Sequence, residues 1–302
     1  MSEQFPSVRL AALDLDGTLL NRHGEVTPAT RAALERAAAN GVVIVPATGR
    51  PLASLPPVVA QLPGVRYAIT SNGAAVWDLG RAPLGAVYSR YANAAQHAVS
   101  QPECLLHRLL PAEKAREVFE VCMDCHADLR IFADGYACTD RASMEYSAMR
   151  FARKGNTEAR QPDDGRFTVV RDFPEWMSRH AFEVEKMCVF FGSVELTNAA
   201  LPRFRAIRDV EVVQGSPENV EVTAAGVDKG EAVLALARML GIPAAQTLAV
   251  GDSENDCAML HKAGISAVMA NGMASLKEWA DLVSEADCNH DGVAELFERL
   301  HL

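Results

Sequence analysis

A chain of 302 residues, 49% apolar and 23% charged, has the balance of a folded globular protein, and its length suits one large or two unequal domains. A formal charge of -10 argues against general affinity for nucleic acid or anionic membranes, which need a basic footprint, so an anionic ligand would require locally placed cations. No apolar run approaches the roughly 18 residues needed to span a bilayer, and the start lacks a signal-peptide pattern. With seven irregularly spaced cysteines suited to free thiols, the expectation is a cytoplasmic protein.

In chain order, Val8 to Asp14 reads as a buried strand meeting a turn at Asp16-Gly17. Thr27 can cap a helix with Pro28 in its first turn, which Asn40-Gly41 closes. Val42 to Pro46 is a second strand, broken by Thr48-Gly49-Arg50-Pro51, and Tyr67 to Thr70 is a third. Strand, helix, strand, helix, strand implies a parallel sheet. From about residue 84 to 222 the pattern changes to α+β, with a helical stretch from Pro111 to Ala127, strand-like pieces at Lys186 to Phe191 and Val210 to Val213, and a polar loop from Arg153 to Arg166. Parallel grammar then returns: a helix from Lys229 to Leu240, a strand from Thr247 to Gly251, a helix after Ser253, a strand from Ile265 to Met269 and a helix from Leu276 to Ala280. The expected fold is α/β, a parallel-sheet core formed by residues 1–83 and 223–302, interrupted by an inserted α+β domain at 84–222.

In such a sheet, functional groups gather at the carboxyl ends of strands, where Asp14, Thr48, Ser71 and Asp252 fall. Asp14 and Asp16, two apart, can face one side of an extended segment, although Asp16-Gly17 is also a common turn dipeptide. Ser253 and Asp256 suit a capping box, which leaves Asp252 unexplained. Carboxylates gathered there would repel unless a hard cation sat among them, and magnesium is the candidate. Lys229 lies in the first turn of a helix capped by Asp228, where the dipole disfavours a cation by less than about 1 kcal/mol unless an anion sits beside it. Thr48-Gly49 offers a hydroxyl and backbone amides for phosphate, or an ordinary strand-ending turn. Ser71-Asn72-Gly73 between strand-like runs carries a hairpin signal.

Asp14-Leu15-Asp16-Gly17-Thr18, Ala47-Thr48-Gly49-Arg50, Asp228-Lys229-Gly230 and Gly251-Asp252-Ser253-Glu254-Asn255-Asp256 resemble, in order and spacing, the four motifs of the haloacid dehalogenase superfamily, and specifically its Cof-type sugar-phosphate phosphatases with a class IIB cap. Thr70-Ser71-Asn72-Gly73-Ala74 and Asn289-His290-Asp291-Gly292-Val293-Ala294 also resemble that subfamily, whereas Val268-Met269-Ala270-Asn271-Gly272 departs from its usual loop. The likeness covers both core segments; the middle matches mainly in size and placement. It implies a Rossmann-like core with an α/β cap after the third core strand. It makes Asp14 a nucleophile that forms an aspartyl phosphate, and Asp16 the general acid and then base. Magnesium would be held by the Asp14 and Asp252 carboxylates and the Asp16 carbonyl, with Asp256 orienting bound water. Thr48, Gly49 and Lys229 would bind phosphoryl oxygens, and Asn255 would touch the phosphate or steady Lys229.

The implied activity is hydrolysis of a small phosphorylated metabolite such as a sugar phosphate, with no nucleic-acid or membrane partner. Alternatives are a phosphomutase or phosphotransferase using the same intermediate and, from another class, a phospho-aspartate signalling module. Cys122-Met123-Asp124-Cys125-His126 matches a haem-attachment pattern, but it lies in a helical stretch where thiols on a helix are the simpler account. His97, His107, Arg130, Arg150, Arg153 and Lys154 are candidate cap contacts that also suit an ordinary surface.

Overall fold

The computed structural model describes residues 5–80, 102–125, 127–153 and 167–302. Its first half-core is β1 (Leu10–Leu13), α1 (Pro28–Ala39), β2 (Val43–Pro46), α2 (Pro57–Ala60), β3 (Tyr67–Thr70) and β4 (Ala75–Asp78). Thr27 caps α1 by accepting from the Thr30 amide, with Pro28 at its first position. β3 and β4 form the antiparallel hairpin signalled by Asn72-Gly73, and β5 (Glu103–His107) adds to its free edge.

The inserted domain follows, with α3 (Ala112–Asp124), β6 (Asp128–Ala133), β7 (Tyr136–Thr139), α4 (Arg141–Arg153), β8 (Phe167–Val169), α5 (Phe173–His180), β9 (Val184–Phe190), α6 (Val194–Arg205), β10 (Val210–Val213) and β11 (Asn219–Ala224). Its six strands run in the order β10-β11-β9-β6-β7-β8, antiparallel except for the β7/β8 pair. Cys122 of the Cys-x-x-Cys-His stretch is buried in this domain's own apolar core, which accounts for that thiol as packing; His126 lies outside the described residues.

The second half-core is α7 (Lys229–Met239), β12 (Thr247–Gly251), α8 (Cys257–Lys262), β13 (Ile265–Val268), α9 (Ala274–Lys277), β14 (Leu282–Val283) and α10 (Gly292–Arg299). The helix expected at Leu276 to Ala280 begins two residues earlier and ends at Lys277, because its first turn starts at the tight chain reversal after Asn271-Gly272. Strands β14-β13-β12-β1-β2 form one parallel sheet, and single parallel bridges from Ile44 to Val65 and Ala47 to Ile69 set β3 beside β2.

Side-chain alternation makes this sheet double-faced. Ala11 and Leu13 of β1 pack with Leu34 of α1 and Phe297 of α10 on one side. Leu10 and Ala12 pack with Leu236 of α7 and Leu260 of α8 on the other. Two helical layers over central β1 and β12 bring their carboxyl ends together under the inserted domain. Among the described residues no helix is long and apolar enough to cross a membrane.

Candidate active site

Central β1 and β12 set the geometry. The Asp14 amide donates to the Val250 carbonyl (3.0 Å), carrying the parallel register one residue past β1, so Asp14 emerges beside Gly251 and Asp252. After β12 the chain turns sharply: the amides of Asp252 and Ser253 donate to Asp256 Oδ2 at 2.9 and 3.0 Å. The anticipated capping box is therefore formed. The other Asp256 oxygen accepts from Lys229 Nζ (2.7 Å), and the same ammonium donates to Asp14 Oδ1 (2.6 Å). Asp252 Oδ1 accepts from the Thr18 hydroxyl at 3.0 Å. Gly17 is obligatory here, with φ +91° and a notional Cβ 2.6 Å from Asp252 Oδ2.

Among the described residues, Asp14, Asp252 and Asp256 are the cluster of acidic, His or Cys groups whose ligand atoms come within 4.8 Å of one another. Two of these three carboxylates, Asp14 and Asp256, share one buried ammonium, and the proton equilibria follow. Burial, then the Asp256 carboxylate, drives the Asp14 pKa well above the usual carboxylate range against the pull of Lys229. Asp252 is pushed up to about 6, by burial first and Asp256 second. Burial opposes the Lys229 charge, but Asp14 and Asp256 together overcome it and raise its pKa. An all-oxygen donor set with more negative charge than its own cation neutralises fits a hard divalent ion.

Thr48 and Gly49 follow β2, and both line the same cleft as Asp14. Thr48 is buried and accepts at Oγ1 from the Arg50 amide (3.1 Å). Asp16 lines that cleft too, but its carboxylate points at Arg50, whose Nε (2.8 Å) and second guanidinium nitrogen both donate to it; the Asp16 side chain remains 60% exposed. Asn255 accepts from Ser253 Oγ (2.9 Å) and donates to Asn72 Oδ1 (3.4 Å). Ser71 is buried, its hydroxyl donating to Glu185 of the inserted domain at 2.6 Å. Asn271, in the departing loop, donates to the Gly17 carbonyl (2.7 Å) and accepts from the Cys288 amide (3.0 Å), tying the Asp16-Gly17 turn to the C-terminal segment.

The cleft, about 280 Å³, is roofed by one face of the inserted sheet. Arg130 and Phe132 on β6, Lys186 and Cys188 on β9, and Asn219 and Glu221 on β11 line it, each pair two residues apart as one sheet face requires. Of the six candidate cap contacts, Arg130 lies in the cleft wall. His107 instead bonds Glu185 (3.0 Å). His97 and Lys154 lie outside the described residues, as do the side chains of Arg150 and Arg153.

With both motif-bearing halves converging on one cleft, the comparison with known families becomes decisive: the family model of haloacid dehalogenase-like hydrolases matches residues 11–84 and 92–297. The chain belongs to that family. This hydrolase is similar to Phosphatase YwpJ of Bacillus subtilis (strain 168), 27% identical across 97% of this chain and 100% of the relative. It is also similar to an HMP-PP phosphatase of Serratia proteamaculans (strain 568), 31% identical across 89% of this chain and 86% of the relative. A solved haloacid dehalogenase-like hydrolase from B. subtilis shares its fold, with a TM-score of 0.75 at 25% identity over 97% of this chain and 100% of that one.

The sequence reading of this hydrolase did not single out the guanidinium of Arg50, the Asn72 amide, Lys186 or Glu221. The last two carried a signal: each is a charged residue within a short strand rich in apolar residues, Val-Glu-Lys-Met-Cys-Val-Phe for β9 and Asn-Val-Glu-Val-Thr-Ala for β11. Such a residue must find a partner in the interior or face a polar site.

Proposed function

We propose that this hydrolase is a magnesium-dependent phosphatase that releases phosphate from a small monoester, a sugar phosphate or similar metabolite, through an aspartyl phosphate on Asp14. The observation that carries the reading is the buried Asp14 carboxylate, which lines the cleft, is hydrogen-bonded to Lys229 and is grouped with Asp252 and Asp256. The phosphatase names of its relatives support it.

In this reading Asp14 attacks phosphorus, and Lys229 and Thr48, with the Gly49 amide and Asn255, hold the phosphoryl oxygens. The transition state is loose and its charge lies on those oxygens, so positioned donors contribute most of the acceleration. Asp14, Asp252 and the Asp16 carbonyl would hold magnesium, with Asp256 steadying the Asp252 turn and bound water. When bound, the ion supplies positive charge beside the transferring group. Asp16 protonates the leaving oxygen and later takes a proton from the hydrolytic water. To do so its carboxyl must leave the Arg50 guanidinium, since both its oxygens are occupied there as acceptors. The inserted segment, taken as residues 84–222, acts as a cap whose sheet face selects the leaving group.

A phosphate-release screen over sugar phosphates, polyol phosphates, nucleotides and phosphorylated vitamins tests this. Steady release with magnesium is expected, falling at least about a thousand-fold in Asp14→Asn. Equal turnover in that variant would refute the reading.

A further inference from the structure

Lys186 and Glu221 are almost completely buried in the cap wall and paired at 3.0 Å. Burying such a pair is a weak source of stability, because desolvation offsets most of the attraction. Within the cap, the other Glu221 oxygen accepts from Asn219 Nδ2 (3.0 Å), but each member of the pair also makes a hydrogen bond that leaves the cap. Lys186 Nζ also donates to the carbonyl of Gly49, in the loop after β2. Glu221 Oε2 also accepts from Asn72 Nδ2 (2.6 Å), in the turn after β3, and Asn72 Oδ1 in turn accepts from Asn255 (3.4 Å). One cap carboxylate thus stands at the root of two paths into the core, through Lys186 to the Gly49–Arg50 peptide and through Asn72 to Asn255.

The first path has a definite chemical consequence. The Gly49–Arg50 peptide is held at both ends: its carbonyl accepts from Lys186 and its N–H donates to Thr48 Oγ1 (3.1 Å). A hydroxyl that accepts from this amide keeps its own hydrogen free to donate elsewhere, and Thr48 lines the cleft beside Asp14. Rotation of that peptide would remove the N–H and let the hydroxyl turn away. The second path fixes the amide of Asn255 in the same manner, since Asn72 spans Glu221 and Asn255. Packing enforces both: a Cβ on Gly49 would lie 2.8 Å from Asn72 Oδ1 and 3.3 Å from Lys186 Nζ. The turn bearing Asn72 is itself held in an uncommon conformation, with φ +52° at Ser71 and +58° at Asn72, so it needs external bonds to persist.

We propose that Lys186 and Glu221 are positioning residues through which the seated cap organises the phosphate-holding side of the site, a role that rests on the phosphatase reading above. They act through Thr48, Gly49 and Asn255, and the subsite is complete only while the cap is docked on the Gly49 carbonyl and Asn72.

The test compares the wild type with Lys186→Met, the isosteric Glu221→Gln, the charge-neutral double variant and Lys186→Arg. Turnover of p-nitrophenyl phosphate, inhibition by orthovanadate and thermal melting are recorded for each. Orthovanadate probes the phosphoryl subsite without any leaving group. Lys186→Met and the double variant are expected to lower kcat about 10- to 100-fold, the range for small misplacements of reacting groups. Their KM should change less than kcat, orthovanadate should inhibit at least about tenfold less well, and Lys186→Arg should recover much of the loss. Folded variants with wild-type kcat and wild-type orthovanadate inhibition would overturn the proposal. So would a loss confined to KM with unchanged orthovanadate inhibition, which would make Lys186 a leaving-group contact. Absence of phosphate release by the wild type would sink the phosphatase reading instead, a result separable from either.

Discussion

The floor and the roof of the cleft treat buried charge in opposite ways. On the floor, Asp14 and Asp256 share the ammonium of Lys229 with Asp252 clustered beside them, and two of the three carboxylates are pushed toward protonation. On the roof, charges are matched: Glu221 pairs with Lys186, and Asp128 with Arg130. Burial opposes the Glu221 charge, yet Lys186 and the Asn72 amide hold its pKa below the ordinary glutamate value. A matched set has its partners within the protein, whereas an unmatched one retains attraction for a ligand's charge. The contrast divides the acidic cluster from the paired charges without reference to any motif.

The comparison breaks most severely at Lys229. Lys229→Met would leave two buried carboxylates without their shared cation, costing about 3–5 kcal/mol of stability and at least about a hundredfold in turnover. Thermal or urea unfolding with parallel phosphate-release assays checks both. Next is metal removal. Chelation should abolish phosphate release, and added magnesium should restore it and raise the melting temperature, because the ion binds only the folded state. In Asp252→Asn the magnesium needed for half-maximal activity should rise at least about 10- to 100-fold. No change in melting temperature on adding magnesium to the wild type would remove the basis for the unmatched floor.

The smallest effect concerns a matched group beside the cap joint. His107 has its pKa raised, first by its hydrogen bond to buried Glu185, against the opposing effect of burial. A raised folded-state pKa means that protonated His107 contributes stability fully below the ordinary histidine value of about 6.5. That contribution fades as pH rises through the higher folded value. His107→Gln should therefore flatten the decline in stability above neutral pH without altering kcat at pH 6 by more than a few-fold; urea unfolding across pH 5.5 to 8.5 reads this directly.

The core and its cluster were legible because Asp14 and Asp252 each follow a short apolar run that must be a buried strand: Leu10 to Leu13 delivers Asp14, and Thr247 to Gly251 delivers Asp252. Asp228 and Glu231 announced the start of α7, and the Asp228 side chain does accept from the Glu231 amide (2.8 Å). What could not be read lies in pairings across long chain separations. Arg50 reaches Asp16 across 34 residues, and Asn72 reaches Glu221 across 149; no local pattern encodes either. The Asn72-Gly73 signal gave the hairpin correctly, but the same asparagine bonds both the cap and Asn255. β5 was missed because its Glu-Cys-Leu-Leu-His sequence is largely exposed and does not alternate cleanly.

The most direct test of the central claim is to quench the enzyme during steady turnover, reduce it with borohydride, which converts an aspartyl phosphate to homoserine, and map the peptides by mass spectrometry. The account predicts homoserine at position 14 alone, dependent on substrate and lost in Asp14→Asn. Phosphorylation at another residue, or full turnover with position 14 never modified, would contradict it.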